Sequence, residues 1–93
     1  MIIGTCTLRL SAEWVSSLKE KRMVVKSIIE KTRHKFNVSI AEVDYQDAHK
    51  DIGIGFACVT NESRHAESMV QNILNFIESN TDAVVMDVQI EML

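Results

Sequence analysis

The chain has 93 residues and a mass of 10.5 kDa, which suits one domain, because a single core usually organises about 50 to 200 residues. A hydrophobic fraction of 46% with 25% charged residues excludes a disordered chain, and no apolar run reaches the roughly 18 residues of a membrane span. A net charge of −3 argues against general affinity for nucleic acid, and the start of the sequence does not resemble a signal peptide. We therefore expect one cytoplasmic domain over residues 1–93, with no membrane partner.

The first half of the chain predicts a strand, a helix and a second strand. Residues Ile2 to Leu10 alternate with the period of two that is expected when one strand face is buried. Ser17 and Glu20 have the spacing of a capping box, and a long amphipathic helix follows as far as about Phe36. The segment from Val38 to Tyr45 has strand composition, but its apolar residues change face, which indicates a bulge or an edge position.

The second half repeats this pattern in the order strand, helix, strand. After a polar loop from Gln46 to Asp51, the residues from Ile52 to Cys58 alternate between large and small side chains, as in a strand. Apolar residues from Ala66 to Ile77 recur at helical spacing, with Asn61 and Ser63 as candidate caps. The residues from Val84 to Met92 then predict a fourth strand.

This βαββαβ order predicts an α+β fold, namely a ferredoxin-like sandwich. Right-handed crossovers around one core place four strands in an antiparallel sheet, with both helices on one face. Strands one and three are then central neighbours, and strands two and four form the edges. Charged residues on the second strand, Glu42 and Asp44, would deter pairing between edges of different molecules.

The run SLKEKRMVVKSIIEKTRHKFNVSIAEVDYQD, from Ser17 to Asp47, closely resembles the YlxP-like bacterial family, a domain of unknown function. The most specific segments are SLKEKR and KFNVSIAEVDYQD. The resemblance implies a ferredoxin-like fold and a gene context among transcription, translation-initiation and ribosome-maturation factors, but it implies no activity. The chain departs from the family at Ser11, where a proline is frequent, and at His49, where an aromatic residue is frequent.

Charge is distributed unevenly along the sequence. The segment from Lys19 to Lys35 contains seven of the ten basic residues against two acids, a net charge of +5, whereas the rest of the chain carries −8. Four cations gather within roughly 60° of one another on the helical wheel. The candidate RNA- or anion-binding residues are these four, Lys19, Arg22, Lys26 and Arg33, together with Lys21. They could follow phosphate groups, although a solvated helix face with pairs such as Lys26 and Glu30 is the commoner outcome.

Lys21 lies at a different angle, on the apolar side of the first helix. A buried cation needs a partner, and the proposed topology brings the end of strand two near the start of this helix. Glu42, Asp44 and Asp47 are therefore candidate ion-pair partners for Lys21. A sharper alternative is a pocket in which Lys21, with Lys19 and Arg22, holds a small anion.

Other chemistry is weakly supported. The loop acids with His49 match no metal-binding template, and the two cysteines lack a nearby histidine in sequence, so that we assign no metal, cofactor or catalytic residue. Phosphate-loop and nucleophile-elbow motifs are absent, which predicts a protein that is not an enzyme.

Three functions remain open. The leading hypothesis is an accessory module that binds structured RNA, or a ribosome-associated particle, through the basic side of the first helix, in a manner dominated by phosphate contacts. The alternative is a protein-interaction module, in particular a homodimer that uses the open sheet face or the edge of strand four. A small-anion sensor near Lys21 is the third.

Overall fold

The computed structural model describes every residue from Met1 to Leu93 and contains six elements in the predicted order. They are β1 (Ile2–Ser11), α1 (Leu18–Lys35), β2 (Ser39–Asp44), β3 (Asp51–Thr60), α2 (Ser63–Ser79) and β4 (Val84–Met92). Neither helix is both long and apolar enough to span a bilayer.

The four strands form one sheet in the order β2-β3-β1-β4, in which all neighbouring strands are antiparallel. Both helices cover the same face, α1 mainly above β2 and α2 above β1, β3 and β4. The ferredoxin-like prediction is therefore confirmed, including the central position of β1 and β3.

Alternation along the strands builds the core. The inward side chains of β1 are Cys6, Leu8 and Leu10, and those of β3 are Ile52, Ile54, Phe56 and Cys58. The helices add Val25, Ile28, Val70, Ile73, Leu74 and Ile77, all of them buried. Removal of this apolar surface from water is the main force that holds the helices on the sheet.

The helix starts differ in detail from the predicted caps. The Ser17 hydroxyl accepts the amide of Glu20 at 3.1 Å, as a capping serine does, but the Glu20 carboxylate accepts the amide of Ser16 rather than that of Ser17. For α2 the N-cap is Glu62, whose side chain makes no capping bond, and Ser63 is already helical.

The irregularity in β2 is a bulge at Val43. The register against β3 shifts between Glu42 and Asp44, so that Glu42 lies opposite Ile54 on the helix-covered face and Asp44 lies opposite Gly53 on the open face. A bulge inserts one residue and thereby reverses the alternation of sides beyond it. The prediction of a bulge or an edge position is confirmed on both counts.

Candidate nucleic-acid interface

The first helix presents two chemically distinct sides. Val25, Ile28 and Thr32 are buried against the sheet, and the Thr32 hydroxyl donates to the carbonyl of Ile28 at 2.7 Å, which satisfies this polar group inside the core. The opposite side faces solvent. Because one side of α1 is held against the sheet, the side chains on its opposite side point toward solvent, and the candidate cations lie there.

Lys19, Arg22, Lys26 and Arg33 are all exposed on the solvent side of α1, and we call this set the basic stripe. From Lys19 to Arg33 the stripe extends about 21 Å at the helical rise of 1.5 Å per residue. Neither Lys19 nor Arg22 forms an ion pair, since the three ion pairs of the molecule involve other cations. Their side chains also make no hydrogen bond within the chain. Their charges are therefore displayed to solvent without an internal counterion.

Lys26 is paired only loosely. Its Nζ lies 3.9 Å from Glu30 Oε1, one helical turn away, and both side chains are more than 60% exposed. Pairs of this kind contribute a few tenths of a kcal/mol in water and are screened by salt. A phosphate approaching α1 can therefore displace Glu30 at little cost.

Arg33 also forms a hydrogen bond within the chain. Its Nη2 donates to the carbonyl of Ile40 at 2.9 Å, which ties the last turn of α1 to the outer edge of β2. The residue is still exposed, and its guanidinium carries further donors, since arginine has five N–H groups. Arg33 can contribute charge to the basic stripe, but its position is set by β2.

Lys21 does not belong to the exposed set. Its side chain is only 1% exposed, its Nζ lies 3.1 Å from Glu42 Oε2, and it donates a hydrogen bond to the carbonyl of Tyr45. Glu42 Oε2 is buried and accepts no hydrogen bond of regular geometry, so that its contact with Lys21 is electrostatic while the directed bond goes to Tyr45. Lys21, predicted among the RNA- or anion-binding residues, is therefore turned inward, because both of its partners are internal.

The other two candidate partners do not reach Lys21. Asp44 lies on the open face beyond the bulge, where its Oδ1 accepts the amide of Tyr45 at 2.8 Å, and Asp47 is an exposed loop residue without an ion pair. The partner that sequence reasoning missed is the backbone of Tyr45, whose φ of 59° is left-handed. Its carbonyl accepts both Lys21 and the amide of Ala48, which closes the turn after β2. No side-chain pattern in the sequence marks a carbonyl as a lysine partner.

The two cysteines are buried thiols on adjacent central strands. Burial raises the pKa of the Cys6 thiol to about 11. Burial also raises the pKa of Cys58, an effect that a hydrogen bond with the backbone of Gly4 opposes in part. A raised pKa disfavours the reactive thiolate, which is the opposite of what a catalytic cysteine needs.

The open sheet face carries a cleft of about 480 Å³ between the ends of β2 and β4. Tyr45 and Met86 flank it, Gly53 forms part of its floor, and Arg9 lies beside Asp87 across the β1 and β4 pair. A second cleft, of about 670 Å³, lies between α1 and the turn after α2. It includes Trp14, which is half exposed. The chain has no group of three or more histidine, cysteine or acidic residues placed to hold a metal ion.

Comparisons with known proteins identify the family. The model of a family described as "Protein of unknown function (DUF503)" matches residues 3–90. The chain belongs to this family. It is also 44% identical to the uncharacterized protein YlxP of Bacillus subtilis (strain 168) over 63 residues, which cover 68% of this chain and 68% of that protein. The YlxP-like resemblance seen in the sequence is confirmed.

Solved structures support the fold alone. A designed protein with a ferredoxin fold, LFR1 1, superposes with a TM-score of 0.60 at 12% identity, covering 98% of this chain and 85% of its own. The designed protein Foldit4 gives a TM-score of 0.51 at 15% identity, covering 99% of this chain and 94% of its own. At these identities the likeness concerns architecture and says nothing about activity.

Proposed function

We propose that the protein is a non-enzymatic accessory module that binds structured RNA, free or within a ribosome-associated particle, through the basic stripe of α1. The observation that carries the proposal is the exposure of Lys19 and Arg22 without internal counterions, next to the loosely paired Lys26. In a chain of net charge −3, a cluster of unneutralised cations on one helix side is the surface that favours a polyanion.

The recognition we propose reads phosphates and shape rather than bases. Base recognition on a sheet of this kind uses exposed aromatic side chains. The open face here carries mainly small and aliphatic residues, with Tyr45 as its aromatic residue. Four phosphate contacts by the basic stripe would give a log-log dependence of affinity on salt with a slope of about −3 to −4.

The internal engagement of Lys21 weakens the small-anion alternative. An anion sensor at this end of α1 would need a cation with free donors, and the Lys21 ammonium already contacts Glu42 and the Tyr45 carbonyl. Lys19 and Arg22 remain accessible beside it. The same two residues serve a polyanion better than a single small anion, because they continue along α1 toward Lys26.

The test is a salt titration of RNA binding with a charge-matched control. The stripe variant is Lys19→Glu, Arg22→Glu and Lys26→Glu, and the control variant is Lys31→Glu, Lys35→Glu and Arg64→Glu, which changes the total charge equally at other exposed positions. An RNA hairpin, a single strand of equal length and a DNA duplex are each titrated at two salt concentrations. We expect the hairpin to bind with strong salt dependence, the stripe variant to lose this binding, and the control variant to retain most of it.

Two results would contradict the proposal. Wild-type protein that fails to bind any of the three nucleic acids at low salt removes the function altogether. Equal losses in the stripe variant and the control variant would show that total charge, and not the arrangement on α1, determines the binding.

A further inference from the structure

The two edges of the sheet are protected unequally. The β2 edge has six residues, is interrupted by the bulge at Val43, and has its Ile40 carbonyl covered by Arg33. The β4 edge has nine residues with a bulge at Met86, and beyond the bulge no side chain donates to or accepts from the backbone of Val88, Ile90 or Met92. Bulges, short strands and covering side chains are the usual defences of an edge against pairing with another chain. From Val88 to Met92 the β4 edge is regular and has no covering side chain.

The direction of the free backbone groups follows from one pair of hydrogen bonds. Ile3 and Leu93 exchange both of their amide-to-carbonyl bonds, at 2.9 and 2.8 Å, so that the backbone of Leu93 points toward β1. In an antiparallel ladder this direction alternates from one residue to the next. The amides and carbonyls of Val88, Ile90 and Met92 therefore point away from β1, toward the vacant side of the edge.

The same three residues carry the apolar side of the strand. They lie opposite Leu8, Cys6 and Gly4, which places their side chains on the helix-covered face. Yet Ile90 is 47% exposed, because the helices do not fully cover the outer strand. A further strand added here would continue both the hydrogen-bond ladder and the hydrophobic layer.

We propose that this added strand is β4 of a second copy, which gives a twofold dimer with a continuous eight-stranded sheet. Centred on Ile90, antiparallel pairing places Ile90 opposite itself and Val88 opposite Met92 of the second copy. The outward amides and carbonyls of these residues then bond in the manner of a regular ladder.

Charge selects this register among its neighbours. With Ile90 at the centre, Gln89 lies opposite Glu91 of the second copy, and an amide can donate to a carboxylate. A pairing centred on Gln89 would instead place Asp87 opposite Glu91 of the second copy twice over. Like charges directly opposite each other are destabilising, so the register centred on Ile90 is favoured.

The dimer goes beyond RNA binding and does not depend on it. Because its contact is one pair of strands, the buried area falls at the low end of specific interfaces, and we expect an equilibrium that responds to concentration. The test measures mass by sedimentation equilibrium across a wide concentration range, together with amide exchange by NMR on the wild-type chain. We expect the mass to rise from 10.5 kDa toward twice that value, with increasing protection of the Val88, Ile90 and Met92 amides.

Two lysine substitutions locate the interface. Ile90→Lys, at a half-exposed position, should leave the fold intact and weaken the dimer by more than about tenfold, since it puts two ammonium groups face to face at the twofold axis. Val59→Lys, at an exposed position of the open face, should leave the dimer unchanged. A chain that stays at 10.5 kDa with rapid exchange of the three amides overturns the proposal. So does a dimer that survives Ile90→Lys but is lost in Val59→Lys, because it would be formed by the sheet face.

Discussion

Replacement of the buried lysine by methionine tests the internal network that fixes the turn after β2. Lys21→Met keeps an unbranched apolar stem of similar length, but removes the ammonium from Glu42 and from the Tyr45 carbonyl. The carbonyl keeps its bond from Ala48, and the Glu42 side chain is 22% exposed, so that the rest of this carboxylate keeps contact with water although Oε2 is buried. The cost should therefore fall below the 3 to 5 kcal/mol of a fully buried broken pair, at about 2 to 3 kcal/mol.

Thermal and urea unfolding measure this loss directly. For a domain of this size, 2 to 3 kcal/mol corresponds to a decrease in Tm of about 10 to 20 °C. Lys19→Met provides the matched control, since this exposed lysine lies two residues earlier in α1 and should cost less than about 0.5 kcal/mol. Adding Glu42→Leu to Lys21→Met should recover at least about 1 kcal/mol, because the stranded carboxylate is then removed. If the two single lysine variants unfold within about 0.5 kcal/mol of each other, the network does not stabilise the protein as argued.

Two further predictions concern the sheet. Gly53→Ala would place a Cβ 2.7 Å from Asp44 Cβ and 3.0 Å from the Asp44 carbonyl oxygen, so it should lower the free energy of unfolding by about 1 to 3 kcal/mol. In Gly55→Ala the new Cβ meets a Val43 methyl group at 3.0 Å, and rotation of the Val43 side chain can relieve this contact, so that this variant should lose less stability. Equal urea midpoints for the two variants would refute this distinction. Stability should also fall as pH rises from about 9 to 11. Over that range the unfolded Cys6 thiol, with an ordinary pKa of 9.0, loses its proton, whereas the native thiol, with a pKa of about 11, retains it. Each unit of the difference between the native and unfolded pKa is worth about 1.4 kcal/mol, which gives a loss of up to about 2 to 3 kcal/mol. A Cys6→Ala variant whose stability falls equally steeply with pH would contradict the assignment to Cys6.

The fold could be predicted because the spacing of apolar residues indicates which side of each helix or strand is buried. The helical spacing from Ala66 to Ile77 and the alternation from Val88 to Met92 each specify one core-facing side, and short right-handed connections leave one simple arrangement. The predicted alternation fails at the start of β4, where a bulge at Met86 turns Val85 rather than Val84 and Met86 toward the core. The same reasoning applied to Lys21, whose helical angle predicts a side chain that points into the core, as the structure has it.

The sequence limits the partners of Lys21 to a few acidic residues but does not identify which one binds it, and the bulge explains why. In a regular strand Glu42 and Asp44 share a face, so both are candidates for the same lysine. The extra residue, Val43, turns Asp44 to the open face and leaves Glu42 facing α1. Sequence patterns indicate that a bulge exists, but its position depends on the pairing with β3, where Gly53 leaves room for Asp44. The bond from Arg33 to the Ile40 carbonyl could not be predicted either, because every residue has a backbone carbonyl and the sequence does not show which one a side chain binds.

The two proposed surfaces can act together because the sheet order separates them. The basic stripe lies on α1, which packs above β2, whereas the dimer edge is β4, and β3 and β1 lie between these two strands. A twofold axis perpendicular to a continuous sheet keeps the helix-covered faces of both copies on one side. The two stripes would then lie near opposite ends of a sheet about 35 Å wide, at the usual spacing of about 4.8 Å between strands. An extended RNA could contact both stripes at once, in which case Ile90→Lys would weaken RNA binding without changing any phosphate contact within one subunit.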